Sequence, residues 1–126
     1  MKVLIVEDEF LFAFYLQKQL NKAGYSVFEP VASGEKALAT VRQDPPDVIL
    51  MDMTLAGKMN GLETARSILA VHPAAFVFMT GHTDDETLEN LMKLTPLGIL
   101  TKPTTALAVQ QLLQDWAKRE DDLASD

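Results

Sequence analysis

Four places in this chain hold side chains that can do chemistry: the acidic run Glu7-Asp8-Glu9, the carboxylate of Asp52, the hydroxyl of Thr80 and the ammonium of Lys102. Each ends or closely follows an apolar run, at residues 3–6, 48–51, 75–79 and 97–100. Unbroken apolar runs of this length read as strands buried on both faces, as in a parallel sheet. The C-terminal ends of such strands are where open α/β sheets bind ligands. Asp52 is the candidate nucleophile, since a carboxylate can attack a phosphoryl group to give an aspartyl phosphate. Three carboxylates in one pocket raise one another's pKa, so positive charge is needed there. Lys102 supplies part of it. The remainder fits Mg2+, a hard cation that takes oxygen ligands. Zinc does not suit a chain with no cysteine and only His72 and His82 as histidines. The metal and Lys102 would neutralise the phosphoryl oxygens, leaving the protein to position and to stabilise charge. A bound phosphoryl group adds about −1.5 to −2 charges. Thr80 can then turn its hydroxyl onto a phosphoryl oxygen and draw residues 81–85 with it. His82, two residues on, is expected at the pocket mouth, where it would tune dephosphorylation.

These residues share a pocket only if the intervening chain folds accordingly. A strand over residues 3–6 is followed by a helix over 10–23, with Ala13, Leu16, Leu20 and Ala23 at helical spacing and Gly24 as its stop. Residues 26–29 read as a weaker edge strand. Ser33 caps a second helix with Ala37, Leu38 and Val41 inward. Pro45-Pro46 precedes the central strand, and 53–60 is a loop. Residues 61–71 form a helix with Leu62, Ala65, Ile68 and Leu69 inward, and 75–80 form the fourth strand. Thr83-Asp84-Asp85-Glu86 is a capping box that opens a helix to about residue 94. Residues 97–101 are the fifth strand. Thr104 or Thr105 caps a last helix carrying Val109, Leu112, Leu113 and Trp116. The expected division is one domain over 1–118 and a polar, mostly acidic tail without structure over 119–126. Strands alternating with helices give a flavodoxin-like (βα)5 fold with helices on both faces and sheet order 2-1-3-4-5. That order puts Asp8 beside Asp52, Thr80 one strand further, and Lys102 roughly 10 Å from Asp52, within reach of its side chain.

The bulk properties narrow the setting. The chain has 126 residues, 48% hydrophobic and 23% charged, which suits one globular domain. A net charge of −7 works against direct binding to nucleic acid or anionic membranes. The N-terminal apolar run is too short for a secretory signal, and no stretch matches a membrane span, so a cytoplasmic protein is expected.

Glu7-Asp8, Asp52, Thr80 and Lys102-Pro103, in this order on successive strand ends, resemble the receiver domain of two-component response regulators, of the stand-alone type. The resemblance covers residues 2–118. It implies a phosphoryl group accepted by Asp52 from a sensor histidine kinase or a histidine phosphotransfer protein. It also implies Mg2+ held by Asp8, Asp52 and the backbone carbonyl of Thr54, with Glu7 acting through water, and phosphoryl contacts from Thr80 and Lys102. The only catalysis implied is self-catalysed transfer to Asp52 and autodephosphorylation. Two positions depart from the usual pattern. Ile99 stands where many receivers carry an aromatic switch residue, and the loop after Asp52 is one residue longer.

Helix one carries more apolar surface than one face can bury: Phe10, Leu11, Phe12, Phe14 and Tyr15 accompany its inward stripe. Phe10 and Phe14, one turn apart beside the active edge, are expected to form a docking patch for the kinase or phosphotransfer partner. Glu9 reads as a first-turn residue favoured by the helix dipole, and His72 before Pro73 as structural. With a short tail after Trp116, output is expected through a downstream protein target, from a monomer or a homodimer formed by helices four and five. The rival readings are an interaction module that does not use phosphorylation, and an aspartyl-phosphate phosphatase. The second would need another acid two residues after the nucleophile, where Thr54 stands.

Overall fold

The computed structural model describes residues 1–81 and 84–124. Its elements alternate throughout: β1 (Lys2–Val6), α1 (Phe10–Lys22), β2 (Ser26–Val27), α2 (Gly34–Gln43), β3 (Val48–Asp52), α3 (Gly61–Leu69), β4 (Ala75–Thr80), α4 (Asp85–Met92), β5 (Gly98–Thr101) and α5 (Ala106–Ala124). The strands form one sheet in the order β2-β1-β3-β4-β5, every neighbouring pair parallel. This is the flavodoxin-like arrangement.

Alternation along the strands decides which helix lies where. Val3, Ile5, Val48, Leu50, Val77 and Met79 face α1 and α5, packing on Ala13, Leu16, Leu20, Val109 and Leu113. Leu4, Val6, Ile49, Met51, Phe76 and Phe78 face the opposite way, onto Ala37, Val41, Ala65, Ile68 and Leu91 of α2, α3 and α4. Every residue of β3 is buried, as a strand covered on both sides requires. Among the described residues no helix is long and apolar enough to cross a membrane.

Several boundaries differ from the sequence expectation. The second strand spans only Ser26–Val27 rather than 26–29, because beyond it Phe28 donates a single bond to Val3 and Val31 forms only an isolated bridge with Val6, without extending a ladder. Helix α3 ends at Leu69, not residue 71, α4 at Met92, and β5 begins at Gly98. The cap of α4 is Asp84, whose carboxylate accepts from the Thr87 amide at 2.9 Å. Thr83 and His82 lie outside the described residues. Of the two candidate caps for α5, Thr105 does the capping, its Oγ1 accepting from Ala108 N at 3.2 Å. Residues 119–124 are not a structureless tail: α5 continues to Ala124. The run Ala117 to Glu120 consists of good helix formers, and an intact helix propagates through them more cheaply than it ends. Leu112 and Trp116 are half-buried against the core rather than enclosed by it.

Candidate functional site

The strand register places the functional side chains at one sheet edge. Val6 pairs with Met51, Asp52 with Met79, and Thr80 with Thr101. The residues that follow β1 and β5 therefore emerge beside Asp52. Hydrogen bonds from Glu7 N to Val31 O (2.9 Å) and from Lys102 N to Thr80 O (2.8 Å) extend this alignment beyond the strands.

Glu7, Asp52 and Thr80 are buried there, while Asp8 is exposed. One carboxylate oxygen from each of Glu7, Asp8 and Asp52 lies within 4.8 Å of the others. The Lys102 side chain crosses the interval foreseen from the sequence. Its Nζ stands 2.8 Å from Glu7 Oε1 and 3.1 Å from Asp52 Oδ1. The Thr54 amide also donates to Asp52 Oδ1, at 3.3 Å.

The electrostatics follow from crowding. Burial, then the neighbouring Asp52 carboxylate, push the Glu7 carboxyl up to about 8 despite the opposing pull of Lys102. Burial alone would lower the Lys102 ammonium, but its hydrogen bonds to Glu7 and Asp52 outweigh that and raise it. Glu7 Oε2 is buried with no hydrogen-bond partner among the described residues. An unpartnered buried carboxylate oxygen is costly. A cation beside it, held by an all-oxygen donor set, would remove that cost. The acidic cluster thus fits a hard divalent metal.

The loop after Asp52 is held at several points. Ser33 and Ala56 form an isolated parallel bridge, and Glu35 Oε1 accepts from Lys58 N at 3.2 Å. Its own backbone amide, helped by that of Lys58, holds the exposed Glu35 carboxyl below its ordinary range against the opposing effect of desolvation. Gly57 has φ +91°, a conformation glycine adopts at little cost. At Gly61 the need is space, because a Cβ there would stand 2.3 Å from the Asp52 carbonyl oxygen. Asn60 and Glu63 then form a reciprocal capping box on α3.

Of the residues expected at the pocket, Glu7, Asp8, Asp52 and Lys102 lie together, Thr80 ends the neighbouring strand, and Thr54 touches Asp52 through its amide. Glu7, expected to act on the metal through water, is a buried carboxylate in direct contact with Lys102, as is Asp52. Phe10 and Phe14 are 77% and 52% exposed, with ring centroids 6.3 Å apart. They border a groove of about 350 Å³ that opens beside Glu7 and Asp8 and is closed across by Pro30 and Val31. Ile99 is half-buried and packs into the α2–α3–α4 side of the core. Two contacts were not anticipated. Glu35 anchors the loop after Asp52, and the Phe12 ring lies beneath Lys102, centroid 5.5 Å from Nζ. Phe12 carried a signal in the surplus of aromatic residues on the first helix; Glu35 carried none.

Known proteins resemble the chain along its length. The response regulator receiver domain family matches residues 3–114. Sporulation initiation phosphotransferase F of Bacillus subtilis is 30% identical over 103 residues, covering 81% of this chain and 82% of that protein. The protein-glutamate methylesterase/protein-glutamine glutaminase 4 of Geobacter metallireducens is 34% identical over 101 residues, covering 79% of this chain. Here the chain spans only 29% of its relative's length. Among solved structures, the signal receiver domain of a modulated diguanylate cyclase from Desulfovibrio desulfuricans G20 is 33% identical. It superposes with a TM-score of 0.84 over 98% of this chain and 97% of that one. Sequence match, topology and the acidic edge agree, and the chain belongs to the response regulator receiver domain family.

Proposed function

We propose that Asp52 accepts a phosphoryl group in a Mg2+-dependent transfer, and that the chain signals by docking to another protein. One observation carries this reading: a buried carboxylate, two neighbouring carboxylates and an ammonium that bridges two of the three converge on the ligand-binding edge of the sheet. A carboxylate oxygen of Asp52 provides the electron pair for a new O–P bond. The bond from phosphorus to the donor breaks, and its electrons leave with the donor. Lys102, already between Glu7 and Asp52, offsets charge on the phosphoryl oxygens. Thr80, at the end of the next strand, would direct its hydroxyl to one of them. When bound, Mg2+ supplies further charge neutralisation. Asp8, Asp52 and the carbonyl of Thr54 would hold it, with Glu7 through water.

Receiver domains interact with histidine kinases and phosphotransferases, so the donor proposed here is a phosphohistidine of such a protein. Phe10 and Phe14 present an apolar surface next to the acidic pocket, as a docking patch beside the reacting atoms requires. A downstream protein target would read the phosphorylated state. The phosphatase alternative lacks its second acid at Thr54, and an interaction module without phosphorylation gives no reason to bury Glu7 and Asp52 together.

Incubation with Mg2+ and a small acyl phosphate, followed by intact-mass measurement, tests the reading. One phosphoryl adduct is expected on the wild type, lost on chelation and in Asp52→Asn. A wild type without an adduct, or an Asp52→Asn variant with the same adduct, would overturn it.

A further inference from the structure

The site is connected to α5 by side chains on α1. Lys102 Nζ lies 5.5 Å above the centroid of Phe12, within the range of a cation–π contact. Phe12 in turn stacks on Tyr15, with centroids 6.1 Å apart and planes 25° apart. The two rings are three residues apart and so share one side of the helix. Tyr15 Oη accepts a hydrogen bond from Ala106 N at 3.1 Å, and Ala106 is the first residue of α5. Each contact touches the next, from the acidic pocket to the start of the longest helix.

We propose that Phe12 is a positioning residue for Lys102, and that Phe12 and Tyr15 together pass the position of the Lys102 ammonium to the N-terminus of α5. The role rests on the phosphoacceptor reading only for the event that moves Lys102. Two features make the route distinctive. Ile99 is aliphatic and packed into the opposite layer, so β5 carries no aromatic ring at that position. The ring beside Lys102 comes instead from α1, where Phe12 is half-buried against the α1–α5 side of the core. A new charge on Asp52 draws the ammonium toward it. The ring face that held the ammonium then loses its partner, Tyr15 readjusts, and the hydrogen bond to Ala106 N changes. The backbone offers a competing route through Pro103, Thr104 and Thr105, so the side chains must be tested separately from the chain.

An NMR cycle on the full chain separates the two. Lys102→Met should move the Ala106 amide resonance in the wild-type background, and most of that shift should be lost when Lys102→Met is combined with Phe12→Leu. Combination with Phe12→Tyr, which keeps the ring, should restore it. Tyr15→Phe retains the stack but removes the acceptor oxygen, so it should also abolish the shift. It decides the question if Phe12→Leu does not fold. An equal Ala106 shift in all backgrounds, or none in the wild-type background, would overturn the relay. A second arm measures phosphorylation by an acyl phosphate with Mg2+. Phe12→Leu should slow it about threefold, with Phe12→Tyr close to wild type. An unchanged rate would overturn the positioning role. If the wild type takes no phosphoryl group, the phosphoacceptor reading fails while the Lys102→Met cycle still decides the relay.

Discussion

Glu7 bears the electrostatic cost of the site. Its carboxyl is buried beside Asp52, one of its oxygens has no hydrogen-bond partner among the described residues, and its pKa is raised from an ordinary 4.5 to about 8. The sign of the consequence follows from linkage. A group with a raised folded-state pKa stabilises the fold fully below its unfolded value, and the contribution disappears as pH rises through the folded value. For the metal-free protein, Glu7 should therefore lower the melting temperature by about several degrees between pH 4.5 and pH 8. With Mg2+ bound at the proposed metal site, millimolar Mg2+ should restore most of the loss at the alkaline end. Glu7→Gln, a neutral isostere, should flatten the pH slope and shrink the Mg2+ response. Melting curves with and without chelator check both, and an identical slope in Glu7→Gln would show that the titrating group lies elsewhere.

At the scale of elements, the end of β3 and the start of α3 depend on a close approach. A methyl group at residue 61 would press on the Asp52 carbonyl oxygen and on the Met53 Cα at 2.9 Å, both of them backbone. Gly61→Ala should cost about 1–3 kcal/mol of stability. Because the displaced atoms belong to Asp52 and its neighbour, the rise in melting temperature with Mg2+ should also fall. A destabilised protein with an undiminished Mg2+ response would mean that the strand end adjusts without disturbing the carboxylate. Much of this architecture was legible beforehand. Continuous apolar runs identified the buried strands, and the residues closing them marked the ligand edge, so Asp52, Glu7, Asp8, Thr80 and Lys102 all followed from strand order. What stayed hidden depends on contacts across the chain rather than on local pattern. Lys58 meets Glu35 only because the loop folds back over α2. Phe12 meets Lys102 only because the lysine side chain reaches back from the end of β5 to α1. The continuation of α5 past residue 118 is hidden because its residues carry no apolar periodicity, and helix formers on an existing helix need no apolar face.

For the molecule as a whole, the proposed chemistry and the proposed recognition occupy adjoining surfaces. The acidic cluster ends the sheet, and the exposed rings of Phe10 and Phe14 rise beside it on α1. On the proposed reading, small phosphodonors need only the cluster, whereas a protein donor would also bury those rings. Phe14→Ala should therefore slow phosphotransfer from a phosphorylated protein donor about tenfold or more, while transfer from an acyl phosphate stays within about twofold of wild type. Equal effects on both donors would place the defect in the pocket rather than in docking. Glu7, Asp8 and Asp52 are all carboxylates in one small space, so the central claim is that phosphorylation selects one of them. Borohydride reduction of the phosphorylated protein, followed by peptide mass mapping, reads this directly. The account predicts a single reduced residue at position 52, formed only when Mg2+ is present. Reduction at Asp8 or Glu7, or at no carboxylate in a protein shown to be folded, would contradict it.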